Sequence, residues 1–139
     1  GEPTMPRLSR WLVRTAFVYL VLALALGAVM TSPWAMAQWP RLSLAAPTQF
    51  HLFVVGWITQ LIAGVAYWMF PRAGRDVPPD DPRGWWVYGG LNAGLILRAV
   101  AEPWTGSGRS LVLLPISAAL QLAAGVVLVV TLWPRTRGR

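Results

Sequence analysis

His51 is the single histidine of a 139-residue chain that has no cysteine, and this leaves few routes to chemistry. The missing thiols remove disulfides, thiolate metal sites and cysteine nucleophiles together. His51 stands where a long apolar run begins, and an imidazole at such a point can ligate a metal or move a proton. Arg98 and Glu102 are four residues apart, one helical turn, so they can pair with each other. No Ser/His/Asp set, carboxylate pair or multi-histidine group can be assembled. Hydrolysis and multi-metal redox chemistry are therefore not expected, and no residue is assigned a catalytic role. Every acidic residue lies outside the middle of the apolar runs, which disfavours a proton-driven carrier, because such a carrier needs a titratable carboxylate at depth.

The elements that must position these residues belong in a bilayer. Hydrophobic residues make up 55% of the chain and charged residues 12%, against about a quarter charged in an ordinary soluble domain. The charges fall between long apolar runs, so residues 1–139 are expected to form one transmembrane domain. The net charge of +7 is not gathered into a groove-sized basic patch with interleaved aromatics, and no nucleic-acid partner is expected. Gly1–Thr4 ahead of Met5 reads as an added leader and is set aside.

A helix needs about 20 apolar residues to cross the hydrocarbon core. Four stretches meet this: Trp11–Met30, Phe50–Phe70, Trp85–Trp104 and Leu111–Trp133. The third is the least typical, because its apolar core ends at Leu97 and Arg98 follows. Pro115 falls in the first turns of the fourth, where a missing amide donor costs least. The runs are continuous and do not alternate, which favours helices over strands. The expectation is an all-α, multi-pass four-helix bundle in the inner (plasma) membrane. Arginines orient it: nine lie at the N-terminal side, in the loop between the second and third spans, and in the tail, against Arg41, Arg98 and Arg109 on the other side. Both termini are thus expected on the cytoplasmic side. Trp11, Trp34, Trp39, Trp68, Trp85, Trp86, Trp104 and Trp133 lie near span ends, as interfacial tryptophans do. The outer loop Thr31–Pro47 is apolar and is expected along the interface, partly helical. The inner loop Pro71–Arg83, with Pro78, Pro79 and Pro82, reads as a stiff polar turn. Gly56, Gln60 and Gly64, then Gly90 and Gly94, then Ser117, Gln121 and Gly125 recur every four residues, a pattern that lets helix backbones approach closely.

At 100° per residue, His51 shares a face with Val55, Ile58, Ile62 and Met69, roughly opposite Gly56, Gln60 and Gly64. If the small-residue face packs inside the bundle, His51 meets a groove or a second protomer. An interfacial imidazole bonded to loop backbone is the plainer alternative.

The stretch from His51 through Gly56 and Trp57, then Gly64, Tyr67, Trp68, Phe70 and Pro71, resembles the second transmembrane helix of the catalytic subunit of haem-copper oxidases and nitric oxide reductases. In that family an outer-end histidine opens the helix and ligates the low-spin haem b, and a glycine, aromatics and a proline close it at the inner side. The resemblance spans about 21 residues. It implies haem b on His51, with Arg98 at a depth suited to a haem propionate. The family's second haem ligand and its further histidines have no counterpart here, so a dinuclear gas-reducing centre is not implied.

Three routes to the other iron face stay open. A homodimer could bring two copies of His51 to one iron, Met30 or Met36 could ligate, or the iron could stay five-coordinate and bind a small gas. The leading expectation is a small dimeric b-type haem protein that transfers electrons with a redox partner protein or binds a diatomic gas. The alternative is a cofactor-free membrane accessory or assembly subunit.

Overall fold

The computed structural model describes residues 4–72 and 81–137, and every regular element among them is helical. Helix α1 (Arg7–Met30) follows Pro6, whose backbone is extended. The segment after Met30 then folds into short helical pieces, as expected. Helix α2 (Pro33–Gln38) starts on Ser32, whose hydroxyl accepts the Ala35 amide at 3.3 Å, with proline at a first-turn position where its missing donor costs nothing. A 3₁₀ turn over Pro40–Ala45 leads into α3 (Ala46–His51), a wider helical stretch over Leu52–Thr59 and then α4 (Gln60–Met69). The second expected span is therefore the C-terminal part of one helical run from Pro40 to Met69. It stops where Phe70 turns extended, the conformation that Pro71 imposes on its predecessor.

Leu52–Thr59 is bonded i→i+5 rather than i→i+4, and the Thr59 hydroxyl donates five residues back to the Val54 carbonyl at 2.9 Å. A uniform 100° step therefore does not carry from His51 to Gln60, and the face drawn on that basis must be corrected. The inner loop expected at Pro71–Arg83 lies largely outside the described residues. Its last part is helical: Asp81 caps α5 (Pro82–Ala101), accepting the Arg83 amide at 2.9 Å. A 3₁₀ turn (Glu102–Trp104) leads to α6 (Gly108–Leu132), and Trp133–Thr136 closes the chain in a further 3₁₀ turn. Because α6 begins three residues ahead of Leu111, Pro115 lies beyond the first turns, and the Leu111 carbonyl loses its usual partner.

Three helical segments among the described residues are long and apolar enough to cross a membrane: Arg7–Met30, Pro40–Met69 and Gly108–Thr136. Helix α5 is not among them. Its 20 residues span about 30 Å, but Arg83, Asn92, Arg98 and its glycines dilute its apolar character.

The helices associate as two close pairs, α1 with the second span and α5 with α6. Within each pair the small residues do the work expected of them. A Cβ on Gly56 would lie 2.7 Å from the Tyr19 ring, and one on Gly64 would lie 2.9 Å from Val13. Gly90 faces Ala124, and Gly94 faces Gln121 and the Ser117 carbonyl. The Ser117 hydroxyl donates to the Gly94 carbonyl at 2.7 Å. Gly125 meets nothing, so the third stripe packs only through Ser117 and Gln121. Between the pairs the contact is smaller and notably polar. The hydroxyls of Thr15 and Tyr88 share a bond at 3.0 Å, and those of Tyr67 and Thr131 share one at 2.6 Å. Gln60 and Asn92 exchange reciprocal amide bonds at 3.1 and 3.2 Å. In an apolar surrounding each such group must find a partner.

Candidate functional site where α3 and α5 end

The junctions α3–Leu52 and α5–Glu102 come together and gather the polar residues that sequence singled out. Glu102 is buried, 3% exposed, and holds the cluster. One of its oxygens takes the Nε–H of Arg98, across one turn. The other takes the Thr48 hydroxyl. His51 Nδ1 stands 3.9 Å from Glu102, beyond hydrogen-bond reach, and is bonded instead to the Pro47 carbonyl at 2.8 Å.

This last bond fixes the chemistry of the imidazole. A carbonyl can only accept, so in the neutral ring Nδ1 carries the proton and Nε2 is left with a lone pair. Phe50 braces the ring edge-on at 5.8 Å. The His51 side chain keeps 22% of its exposure, so it is neither sealed in the core nor spread on the surface. Sequence reasoning offered a groove, a second protomer or a backbone-bonded interfacial imidazole; the backbone bond is present, and it engages Nδ1 alone.

Arg98 makes the i,i+4 pair with Glu102 through Nε, which leaves its two terminal amino groups for another acceptor. Met30 ends α1 and Met36 lies in α2, both half-buried. Neither shares a hydrogen bond, ion pair or ring contact with the cluster. Thr48 was missed, although its place three residues before His51 sets it on the same face. Arg41 was missed as a structural residue too. It donates to the Pro103 carbonyl at 3.2 Å and lies over the Trp104 ring at 4.4 Å, a contact across 62 positions that no local pattern announces.

A second polar group closes the opposite end. Arg135 is buried, lies 5.3 Å over the Tyr67 ring and donates to the Tyr67 carbonyl at 3.4 Å. Asp81 pairs with Arg83 at 3.1 Å.

Among the described residues no group of three or more His, Cys, Asp or Glu is placed to hold a metal ion. The cluster thus lacks the ligands for a metal bound by side chains alone. A haem is a different case, because the porphyrin supplies four donors and asks the protein for one or two. No family model matches the chain, and neither the curated proteins nor the solved structures contain a significant match to it.

Proposed function

We propose that this chain is a membrane b-type haem protein in which His51 is an axial ligand of the iron. The observation that carries the reading is the Nδ1–Pro47 bond. Ligating histidines characteristically donate their other ring N–H to a carbonyl or carboxylate, which fixes the tautomer and raises the basicity of the ligating nitrogen. His51 has the carbonyl in contact and the Glu102 carboxylate 3.9 Å away. Arg98 adds a cation whose terminal amino groups suit a propionate.

These residues fit one side of a haem. A second axial ligand from another copy of His51 makes a homodimer the favoured form, with Met30 or Met36, or an empty position, as the other arrangements. Bound haem supplies one-electron transfer with a redox partner protein, or diatomic gas binding. Helix α5 is read as the third of four spans in the bundle, and the arginine bias favours both termini on the cytoplasmic side of the plasma (inner) membrane.

Absorption spectra with and without dithionite, on protein expressed with ample haem, test the reading. Wild type is expected to show a reducible Soret band, and His51→Ala to lose haem or turn weakly high-spin. One haem per two chains supports the paired His51, and one per chain the other arrangements. An unchanged spectrum in His51→Ala, or a colourless wild type, defeats the proposal. Arg98→Ala strips Glu102 as well as a propionate, so it is best compared in a Glu102→Gln background. There its effect on haem affinity is expected to be on the order of 1.5–3 kcal/mol, the range for a charge-assisted bond.

A cofactor-free accessory subunit is the second reading. It is favoured by the way Thr48 and Arg98 already satisfy both oxygens of Glu102, an arrangement that also serves purely to join two helix ends. A colourless protein that stays folded is its signature.

A further inference from the structure

Where α5 ends and α6 begins, an apolar cavity of about 600 Å³ opens, walled by Val100, Ala101, Trp104 and Leu113, with Ser107 and Arg109 among its lining. Its volume falls within the range of about 300–1,000 Å³ typical of sites for small organic ligands. The Trp104 wall is held in place from outside the cavity's own elements, by Arg41 over its ring and on the neighbouring Pro103 carbonyl.

The charge at the rim is what asks for a particular occupant. Arg41 is engaged with Trp104 and Pro103, and Arg98 with Glu102. Arg109 is exposed and forms no ion pair with a carboxylate among the described residues. On the orientation proposed above it stands on the outer side, where the positive-inside rule gives no reason for an arginine. An apolar cavity with a single cation at headgroup depth complements a molecule that is anionic at one end and hydrocarbon at the other.

We propose that this cavity binds an anionic phospholipid, with its phosphate on Arg109 and an acyl chain against Trp104, Val100 and Leu113. The site is separate from the His51 cluster and does not depend on haem. Arg109 acts as the selector for charge, and the apolar walls provide the affinity for the chain.

The test is lipid retention measured by native mass spectrometry. The full chain is reconstituted in bilayers of equal phosphatidylglycerol and phosphatidylethanolamine, extracted in mild detergent and analysed. Wild type is expected to retain phosphatidylglycerol in excess. Arg109→Gln is expected to lower that excess about fivefold, as one basic residue near a charged membrane surface contributes about 1 kcal/mol. Arg109→Lys should keep most of it, since the contact needs the charge. Leu113→Trp, which fills the cavity, should reduce retention of both lipids, with circular dichroism confirming the helical fold. Equal retention of the two lipids by wild type, an unaltered excess in Arg109→Gln, or retention of an isoprenoid quinone in place of phospholipid would overturn the assignment. Reporter fusions at the termini report the orientation separately, so a failure there is distinguishable from a failure of the site.

Discussion

Asp81 bears two opposing influences. Burial pushes its carboxyl pKa up, but the Arg83 side chain and amide, with the charges of Arg83 and Arg135, outweigh this and hold it below the ordinary value of 3.8. A carboxyl whose pKa is depressed by folding adds stability that is complete above the unfolded value and is lost as pH falls through the folded one. The cap on α5 should therefore weaken only on acidification below about pH 4. Asp81→Asn keeps an acceptor for the Arg83 amide and removes the charge. Its thermal stability is expected to trail wild type by a constant margin at neutral pH, up to about 1 kcal/mol for a charge at a helix start paired with an exposed arginine, and to converge with it in acid. A margin independent of pH would show that the charge contributes nothing. The same residue shows how local signals can be misread. Asp81 followed by Pro82 is a helix-start signature, yet among so many prolines it looked like more of the loop. His51 was legible as a candidate from its type and place, whereas the role of Pro47 beneath it depends on α3, a helix hidden in an apolar loop.

Helix contacts were the most readable feature, because small residues recurring every fourth position let helix backbones approach closely, although Gly125 shows that the pattern alone does not secure a contact. Gly94 and Gly125 now make opposite predictions. A side chain at Gly94 starts with a Cβ 2.7 Å from Gln121 and 3.1 Å from the Ser117 carbonyl, whereas one at Gly125 starts in open space. Gly94→Ile should separate α5 from α6 and cost stability in detergent, read as a lower melting temperature, by about the 1–3 kcal/mol typical of overpacking or more. Gly125→Leu should be close to neutral. If both melt alike, the α5–α6 contact does not depend on Gly94. The i→i+5 stretch after His51 had no such signal: Leu-Phe-Val-Val-Gly-Trp-Ile-Thr suits an α-helix as well, and its packing against α1 is not readable from spacing within the segment.

The molecule as a whole divides along a seam. Two tightly packed pairs meet through hydroxyl and amide bonds, from Thr48–Glu102 at one end, past Gln60–Asn92, to Tyr67–Thr131 at the other. Sequence could register Gln60 and Asn92 as polar residues in apolar runs, but not their pairing, since spacing within one helix says nothing of its neighbour's rotation. Composition and run length were sufficient for an all-helical membrane chain. They were not sufficient for α5, which is the least apolar of the long helices yet sits against both α6 and the second span. Orientation is open to direct measurement. Reporter fusions at either terminus should read cytoplasmic, and one inserted between α1 and α3 should read external. An external C-terminus would reverse the orientation and move Arg109 to the side where arginines are common.

The wider stretch over Leu52–Thr59 makes residue number a structural dimension. A run of i→i+5 bonds in place of i→i+4 bonds makes room for an extra residue, and one residue amounts to a rotation of about 100° about an α-helical axis. The direction in which His51 faces, relative to a Gln60 end locked onto Asn92, is therefore set by how many residues lie between them more than by which residues they are. Exchanging one aliphatic side chain for another there leaves the imidazole beside Glu102. Losing a single residue lets the helix tighten and swings the imidazole out of the cluster, with every polar side chain still present.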